Sequence, residues 1–321
     1  MNMKGCFVGF DTSNYTTSAA ICTEDGEVVA NLKIPLPVKE GERGLRQSDA
    51  VFFHIRNLPV LCERLQEALD GLTPLAIGVS TRPRDAADSY MPCFLSGKAV
   101  ASSFAAAANI PLFEFSHQNG HIMAALYSSG AYKTLRASPF LSFHVSGGTT
   151  EGLLVEPLPQ GGFSVSLEAE TADINAGQAI DRVGVMMGLS FPCGRELEQL
   201  AKEYKGKPYR HPISVSNGKC SLSGVENIAS RLYRETGDCS AVAAFVFDFI
   251  GRTLDGMSSY LVQKHGDLPI LYAGGVMSNQ LMRQALSERY HAYFAHPAFS
   301  ADNAAGVALL CRQEYQQNLS Q

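Results

Sequence analysis

No two of the eight cysteines form a C-x-x-C pair; Cys6, Cys22, Cys62, Cys93, Cys193, Cys220, Cys239 and Cys311 are scattered along the 321 residues. This excludes a zinc ribbon or dithiol redox motif and predicts reduced thiols in a cytoplasmic protein. No run of about 18 apolar residues occurs, so no membrane-spanning helix is expected. The opening MNMKGCFVGFD lacks the apolar run of a signal peptide, and secretion is not expected. Positive charge is scarce as well: 26 Lys and Arg against 31 Asp and Glu give a net charge of −5, with a pI near 5.9. There is thus no global electrostatic footprint for nucleic acid. A local exception is KEYKGKPYRHPISVSNGK, with Lys202, Lys205, Lys207, Arg210, His211 and Lys219. It is either a phosphate-touching segment or a solvated loop, and a polyanionic partner would need help from another subunit. No stretch is low in complexity or dense in like charge. With 45% hydrophobic and 18% charged residues the chain is globular, and its length suits two lobes with separate cores.

What is present is a plan used twice. KGCFVGFDTSNYTTSAAICTEDGEVVANL reads as an apolar strand, a polar turn, a second strand, an acidic-glycine turn and a third strand. PFLSFHVSGGTTEGLLVEPLPQGGFSVSL repeats that order. In the first half VFFHIRNLPVLCERLQEALDG has helical apolar spacing and feeds the strand LAIGVST. In the second half AVAAFVFDFIGRTLDGMSSYLVQKHG feeds PILYAGGVMSN. Helix, strand and final helix then follow in both, so each half is βββαβαβα-like. A spacing of about 140 residues marks a duplicated domain and not a solenoid; two unrelated α/β domains are the alternative. The fold class expected is α/β, a duplicated two-lobe fold resembling actin-like and sugar-kinase ATPases, with a ligand cleft between the lobes. The expected lobes are residues 1–132 and 139–300, with 301–321 as a last helix packing back across them.

Several turns could bind anions. Ser146-Gly147-Gly148-Thr149-Thr150 follows an apolar strand, where glycines let amides approach a phosphate and hydroxyls donate; ordinary hairpin turns look the same. Thr12 and Ser13 after Asp11 carry the same ambiguity. Ala273-Gly274-Gly275-Val276-Met277-Ser278-Asn279 leaves a strand and opens a helix, a context for phosphate or nucleotide, or for close strand-to-helix packing. In the segment Asp173 to Arg182, Gly177 and Asp181 lie one helical turn apart; Asp181 suits a ribose hydroxyl pair or a surface ion pair.

His117 and His121 in HQNGH stand four apart and can reach one metal from one helix face, or be ordinary hydrogen-bonded histidines. Asp302, at the opening of the matching last helix, is the carboxylate that the repeat symmetry sets opposite them; alone it reads as an N-cap. His144, in an apolar strand, needs a partner and is a candidate further ligand. Three histidines and one carboxylate suit zinc or ferrous iron. HQNGH lacks the glutamate of H-E-x-x-H, which argues against a metalloprotease.

Together these segments resemble the TsaD/Gcp family, which transfers a threonylcarbamoyl group to adenosine in tRNA. The likeness covers nearly the whole chain. It is carried by Asp11-Thr12-Ser13, His117-x-x-x-His121, Val145 to Thr150, Asp173 to Asp181, Ser221-Leu222-Ser223-Gly224, Ala273-Gly274-Gly275-Val276-x-x-Asn279 and Asp302-Asn303. The resemblance implies that His117, His121 and Asp302 hold one divalent metal, iron or zinc, with His144 near it. It implies ATP or an adenylate, with magnesium, and threonylcarbamoyl-AMP as donor. Thr12, Ser13, Ser146, Gly147, Gly148, Thr149, Asp173, Gly177, Gln178, Asp181, Gly274, Gly275 and Asn279 would bind that nucleotide. It further implies tRNA with partner proteins, no membrane, and a homo- or heterodimer. No residue is marked as a general base.

The chain also departs from the family. Tyr15 and Thr16 replace an acidic pair after the first Thr-Ser, and Gln178 replaces a glutamate. Arg82-Pro83-Arg84-Asp85 replaces a Gly-Pro-Gly loop, and Glu226 stands where a lysine is usual. These changes fit a divergent paralogue. Three readings follow: threonylcarbamoyl transfer to tRNA; carbamoyl transfer to another acceptor or ATP hydrolysis; or a non-catalytic nucleotide-binding scaffold that dimerises with a family relative.

Overall fold

The computed structural model describes residues 4–13, 15–37, 45–159, 161–300 and 304–319. The first half runs β1 (Lys4–Asp11), β2 (Thr16–Thr23), β3 (Val28–Pro35), α1 (Gln47–Ala68), β4 (Leu72–Arg82), α2 (Phe94–Ala108), β5 (Leu112–Ser116), α3 (His117–Ser128) and the short α4 (Tyr132–Leu135). The second runs β6 (Phe140–Val145), β7 (Thr150–Pro157), β8 (Phe163–Thr171), α5 (Ala176–Met186), α6 (Gly194–Glu203), β9 (Ser214–Ser216), β10 (Lys219–Ser221), α7 (Gly224–Thr236) and α8 (Cys239–His265). It ends with β11 (Ile270–Ala273), a 3-10 turn (Gly275–Ser278), α9 (Gln280–Ser287), β12 (Ala292–Phe294), α10 (Pro297–Ser300) and α11 (Ala305–Asn318).

The duplication is written in the sheets. One has the order β3-β2-β1-β4-β5; the other contains β8-β7-β6-β11-β12, the same arrangement, extended past β8 by β10 and β9. Pairing matches too: β1 is antiparallel to β2 and parallel to β4, as β6 is to β7 and β11. The second half departs from the plain repeat by inserting α5, α6, β9, β10 and α7 between β8 and α8. The basic stretch from Lys202 to Lys219 lies within that insertion, running from the end of α6 through β9 to the start of β10.

Two compact units result. The first takes the described residues of Met1–Arg136, Pro157–Ser164 and Ala298–Gln321. Its central strand β1 is buried from Gly5 to Asp11, as expected for a strand covered on both faces. On one face α1 lays down Ala50, His54, Leu58, Leu61 and Leu65 at helical spacing. On the other lies α11, whose approach needs glycine: a Cβ on Gly9 would come 2.5 Å from Ala308 N, and one on Gly78 2.8 Å from Cys311 Cβ. The second unit takes Ala137–Glu156 and Val165–Pro297. Its core is built on α8, with Phe245, Ile250, Leu254 and Met257 among the buried side chains packed with β6 and β11. Asp238 starts that helix by accepting hydrogen bonds from the Ser240 and Ala241 amides.

All eight cysteines are free, and burial pushes the Cys6 and Cys22 thiols up to about 12, the behaviour of inert structural thiols. Among the described residues no helix is long and apolar enough to cross a membrane.

Candidate functional site

The sequence-derived candidates divide between the units. In the first unit β1 delivers Asp11, which is fully buried. Its Oδ2 accepts from Ser13 Oγ at 2.6 Å. Its Oδ1 accepts from Ser80 Oγ on β4 and from His117 Nδ1 at 3.3 Å. Burial alone would raise this carboxyl; the charge of His117 and the three hydrogen bonds outweigh it and hold the group below its usual range. Thr12 and Ser13 are buried in the same turn. Thr12 Oγ1 donates to Cys93 O at 3.0 Å and accepts from Gly97 N at 3.1 Å, tying β1 to the start of α2.

The histidine pair opens α3. Ser116 caps this helix by accepting from Asn119 N, and the His117 and His121 rings meet edge-on with centroids 4.2 Å apart. The loop after β4 holds the helix start. Asp85 pairs with Arg82 at 2.6 Å and accepts from Ser116 Oγ at 2.7 Å and Asn119 Nδ2 at 2.6 Å. Pro83 O accepts from Gln118 N. Asn119 also binds the Phe163 backbone at both its N–H and its carbonyl. Asp302, the carboxylate assigned to this pair by symmetry, lies outside the described residues. Among the described residues no three His, Cys, Asp or Glu side chains are placed to hold one ion.

In the second unit β6 carries half-buried His144, in register with Glu151 on β7 and Ala273 on β11. The following turn is ordered by Ser146, whose Oγ accepts from Gly148 N and Thr149 N at 3.2 and 3.1 Å. Gly147 and Gly148 are exposed, with open space where a Cβ would stand. The start of α5 is pressed on this turn: Gly177 N donates to Ser146 O, and a Cβ on Gly177 would lie 2.6 Å from Gly147 N. Alongside runs the loop after β11. Gly274 has φ +100° and its added Cβ would fall 2.2 Å from Val145 O, so no other residue fits. Asn279, 5% exposed, caps α9 by accepting from Met282 N through Oδ1. Its buried Nδ2 has no hydrogen-bond partner among the described residues, an exception that calls for an acceptor.

Asp173 and Asp181 differ in what surrounds them. Asp173 accepts from Thr171 Oγ1, Ile174 N, Leu222 N, Ser223 N and the hydroxyls of Ser221 and Ser223. Although burial raises it, these bonds drive its carboxyl far below the usual range; it clamps Ser221-Leu222-Ser223 to the head of α5. Asp181 accepts from Cys193 N, and burial pushes its carboxyl up, partly opposed by that bond. It borders a depression of about 440 Å³ lined by Gln178, Val185, Met186 and Phe191 and crossed by the Arg182–Glu226 ion pair at 3.7 Å. Gln178 Oε1 completes a capping box on Asn175 N, which leaves its Nε2 as the donor end.

Asp11 as a hydrogen-bond centre, Ser80, Asp85, Asn119 and Thr150, whose Oγ1 accepts from Ala176 N, were not marked by the sequence as individual site residues. Each gains its meaning from a partner distant in the chain.

These two duplicated units define an α/β protein with the fold of actin-like and sugar-kinase ATPases. Full-length HypF in a phosphate- and nucleotide-bound form aligns with TM-score 0.59 at 13% identity, covering 97% of this chain and 55% of HypF, about half of that protein's length. A ROK hexokinase from Thermus thermophilus aligns with TM-score 0.55 at 17% identity, covering 98% and 100%. At such identities the likeness is one of fold.

Within that fold the chain belongs to the TsaD family, tRNA N6-adenosine threonylcarbamoyltransferase, whose sequence profile matches residues 90–309. A relative of that name from Streptococcus pyogenes serotype M5 (strain Manfredo) is 32% identical over 93% of this chain and 87% of its own length. Another, from Chlorobium phaeovibrioides (strain DSM 265 / 1930), is 27% identical over 95% and 92%.

Proposed function

We propose that this chain transfers a threonylcarbamoyl group from threonylcarbamoyl-AMP to an adenosine of tRNA. The observation that carries the reading is the buried Asn279 Nδ2 with no partner among the described residues, beside a loop in which Gly274 admits no side chain. A polar donor kept unsatisfied in that place, in a chain of this family, is kept for an acceptor on a nucleotide.

In this reading the exposed turn at Gly147 and Gly148 and the loop at Gly274 and Gly275 bind phosphate and stabilise the negative charge that grows as the adenylate is cleaved. Asp181 and Gln178 Nε2 take the ribose or base. Thr12, Ser13 and Asp173 act from behind, through the turns they hold. The donor chemistry of His117 and His121 fits a divalent ion, since two imidazoles one helical turn apart are a natural ligand pair. With Asp302, and with His144 as a further ligand, they would hold iron or zinc. Such an ion supplies Lewis-acid polarisation of carbamoyl or phosphate oxygens. In the transfer itself the acceptor amine would attack the carbamoyl carbon, the bond from that carbon to the phosphate oxygen would break, AMP would leave with the bonding electron pair, and the amine would give up a proton to solvent. The net charge of −5 favours tRNA being held with help from another subunit, and the family likeness fits partner proteins and a homo- or heterodimer.

A second reading, transfer to another acceptor or nucleotide hydrolysis, draws on two of the departures. Arg82 to Asp85 is docked on the histidine helix through Asp85, and Glu226 is paired with Arg182 beside Asp181. The test is the threonylcarbamoyl-adenosine content of tRNA in cells depleted of their own enzyme and expressing this chain alone. Persistence of the modified base supports the first reading. Its loss, with the chain folded and binding nucleotide, overturns the first reading and leaves another acceptor, nucleotide hydrolysis or a non-catalytic scaffold.

A further inference from the structure

We propose that Asp11 is the positioning residue of the histidine pair: its buried carboxylate holds His117 as the tautomer with the proton on Nδ1, and so puts the ring's lone pair on Nε2, the nitrogen that takes the divalent ion. The inference rests on the metal reading above and adds a residue to it.

Three observations converge. Asp11 is fully buried at the carboxyl end of the central strand β1, so its place is fixed by the sheet and not by a mobile loop. Its oxygens accept from Ser13, Ser80 and His117, groups delivered by a turn, by β4 and by α3. A buried carboxylate is tolerated where it is hydrogen-bonded in this way. An ionised carboxylate can only accept, so the contact to His117 Nδ1 at 3.3 Å requires the imidazole nitrogen to be the donor. In a neutral imidazole the lone pair then resides on the other nitrogen. A carboxylate behind a histidine fixes ring orientation and raises the basicity of the ligating nitrogen, an arrangement whose loss typically costs 10–100-fold in metal affinity. The second ring gains as well, because His121 meets His117 edge-on at 4.2 Å and the orientation of one constrains the other.

A purely structural tie between β1, β4 and α3 would show the same hydrogen bonds but would make no demand on zinc affinity. The experiment therefore reads both proton and metal. The full chain, labelled with 15N-histidine and free of metal, is examined near pH 7.5 by ring 15N–1H correlation, with His117 assigned through His117→Gln. The expected signal is Nδ1–H for His117. Zinc affinity is then measured by chelator competition. Asp11→Asn is expected to weaken zinc about 10- to 100-fold, whereas Asp238→Asn, at the cap of α8, leaves it unchanged. An Nε2–H tautomer in the wild-type chain overturns the inference alone, as does unaltered zinc affinity in a folded Asp11→Asn chain. Should Asp11→Asn fail to fold, the wild-type tautomer decides. A wild-type chain that binds no zinc overturns the metal reading and this inference with it.

Discussion

His54 sits on the buried stripe of α1 with no exposed surface, its Nδ1 bonded to Thr17 Oγ1 at 2.9 Å and its Nε2 without a partner among the described residues. Burial pulls this imidazole down from 6.5 to about 4, opposed in part by the charge of Asp11. The sign follows from linkage. Between these two values the unfolded chain binds a proton that the folded chain refuses, so stability is complete above pH 6.5 and falls as pH drops towards 4. The total is about 3 kcal/mol for a shift of this size. We expect the urea midpoint of the wild-type chain to decline over that window and the decline to be shallower in His54→Leu. Equal slopes in the two chains would remove His54 as the cause. The position of this histidine is legible in the sequence, for it falls between Ala50 and Leu58 on the apolar stripe. Its partner is not, being 37 residues away on another element. The same distance problem hides what Thr12 and Asp173 bond to. Their polar atoms meet Cys93 and Gly97 or Leu222 and Ser223, contacts that no local spacing encodes.

Between elements, the crossing of α3 and α11 is set by two glycines. A Cβ on Gly306 would lie 1.8 Å from Gly120 O and 2.9 Å from Ala124 N, so the helices meet backbone to backbone. Gly120 is the residue just before His121, which makes α11 the support behind the histidine helix. Gly306→Ala must push the helices apart, and overpacking of this kind costs about 1–3 kcal/mol or more. The comparison is Gly224→Ala at the start of α7, where nothing lies within 4 Å of the added carbon. Thermal unfolding should show a clear loss for Gly306→Ala and little for Gly224→Ala; equal midpoints would refute the crossing as a source of stability. The sequence discloses α3 and α11 as the final helices of the two repeated halves. It does not disclose which helix lies on which sheet, because Gly9, Gly78, Gly120 and Gly306 look like ordinary small residues until partners far along the chain are known.

For the molecule as a whole, the repeated strand order shows why so much of the fold was legible. Each half had to spell out its own meander and crossover helices, and the second spelling corroborated the first. The insertion from α5 to α7 has no counterpart with which to be compared, and from it the sequence marked single segments, Gly177 to Asp181, the basic stretch to Lys219 and Ser221 to Gly224, without their arrangement. Whether the duplicated frame serves a nucleotide can be asked at Asn279, provided its two jobs are separated. Its Oδ1 caps α9, and its buried Nδ2 has no partner among the described residues. Asn279→Ala would remove both, with a loss of about 1 kcal/mol from the cap alone. Asn279→Asp keeps an acceptor for Met282 N and removes the donor, while setting a negative charge where the reading expects a nucleotide. The prediction is that ATP or AMP at about 100 times its dissociation constant stabilises the wild-type chain by about 2.7 kcal/mol. Asn279→Asp keeps the cap but should unfold below the wild-type midpoint, because its second oxygen is buried without a donor, and should respond weakly to nucleotide relative to its own nucleotide-free midpoint. An equal nucleotide response in both chains would mean that the buried amide does not face the ligand, and would take away the observation on which the proposed transferase rests.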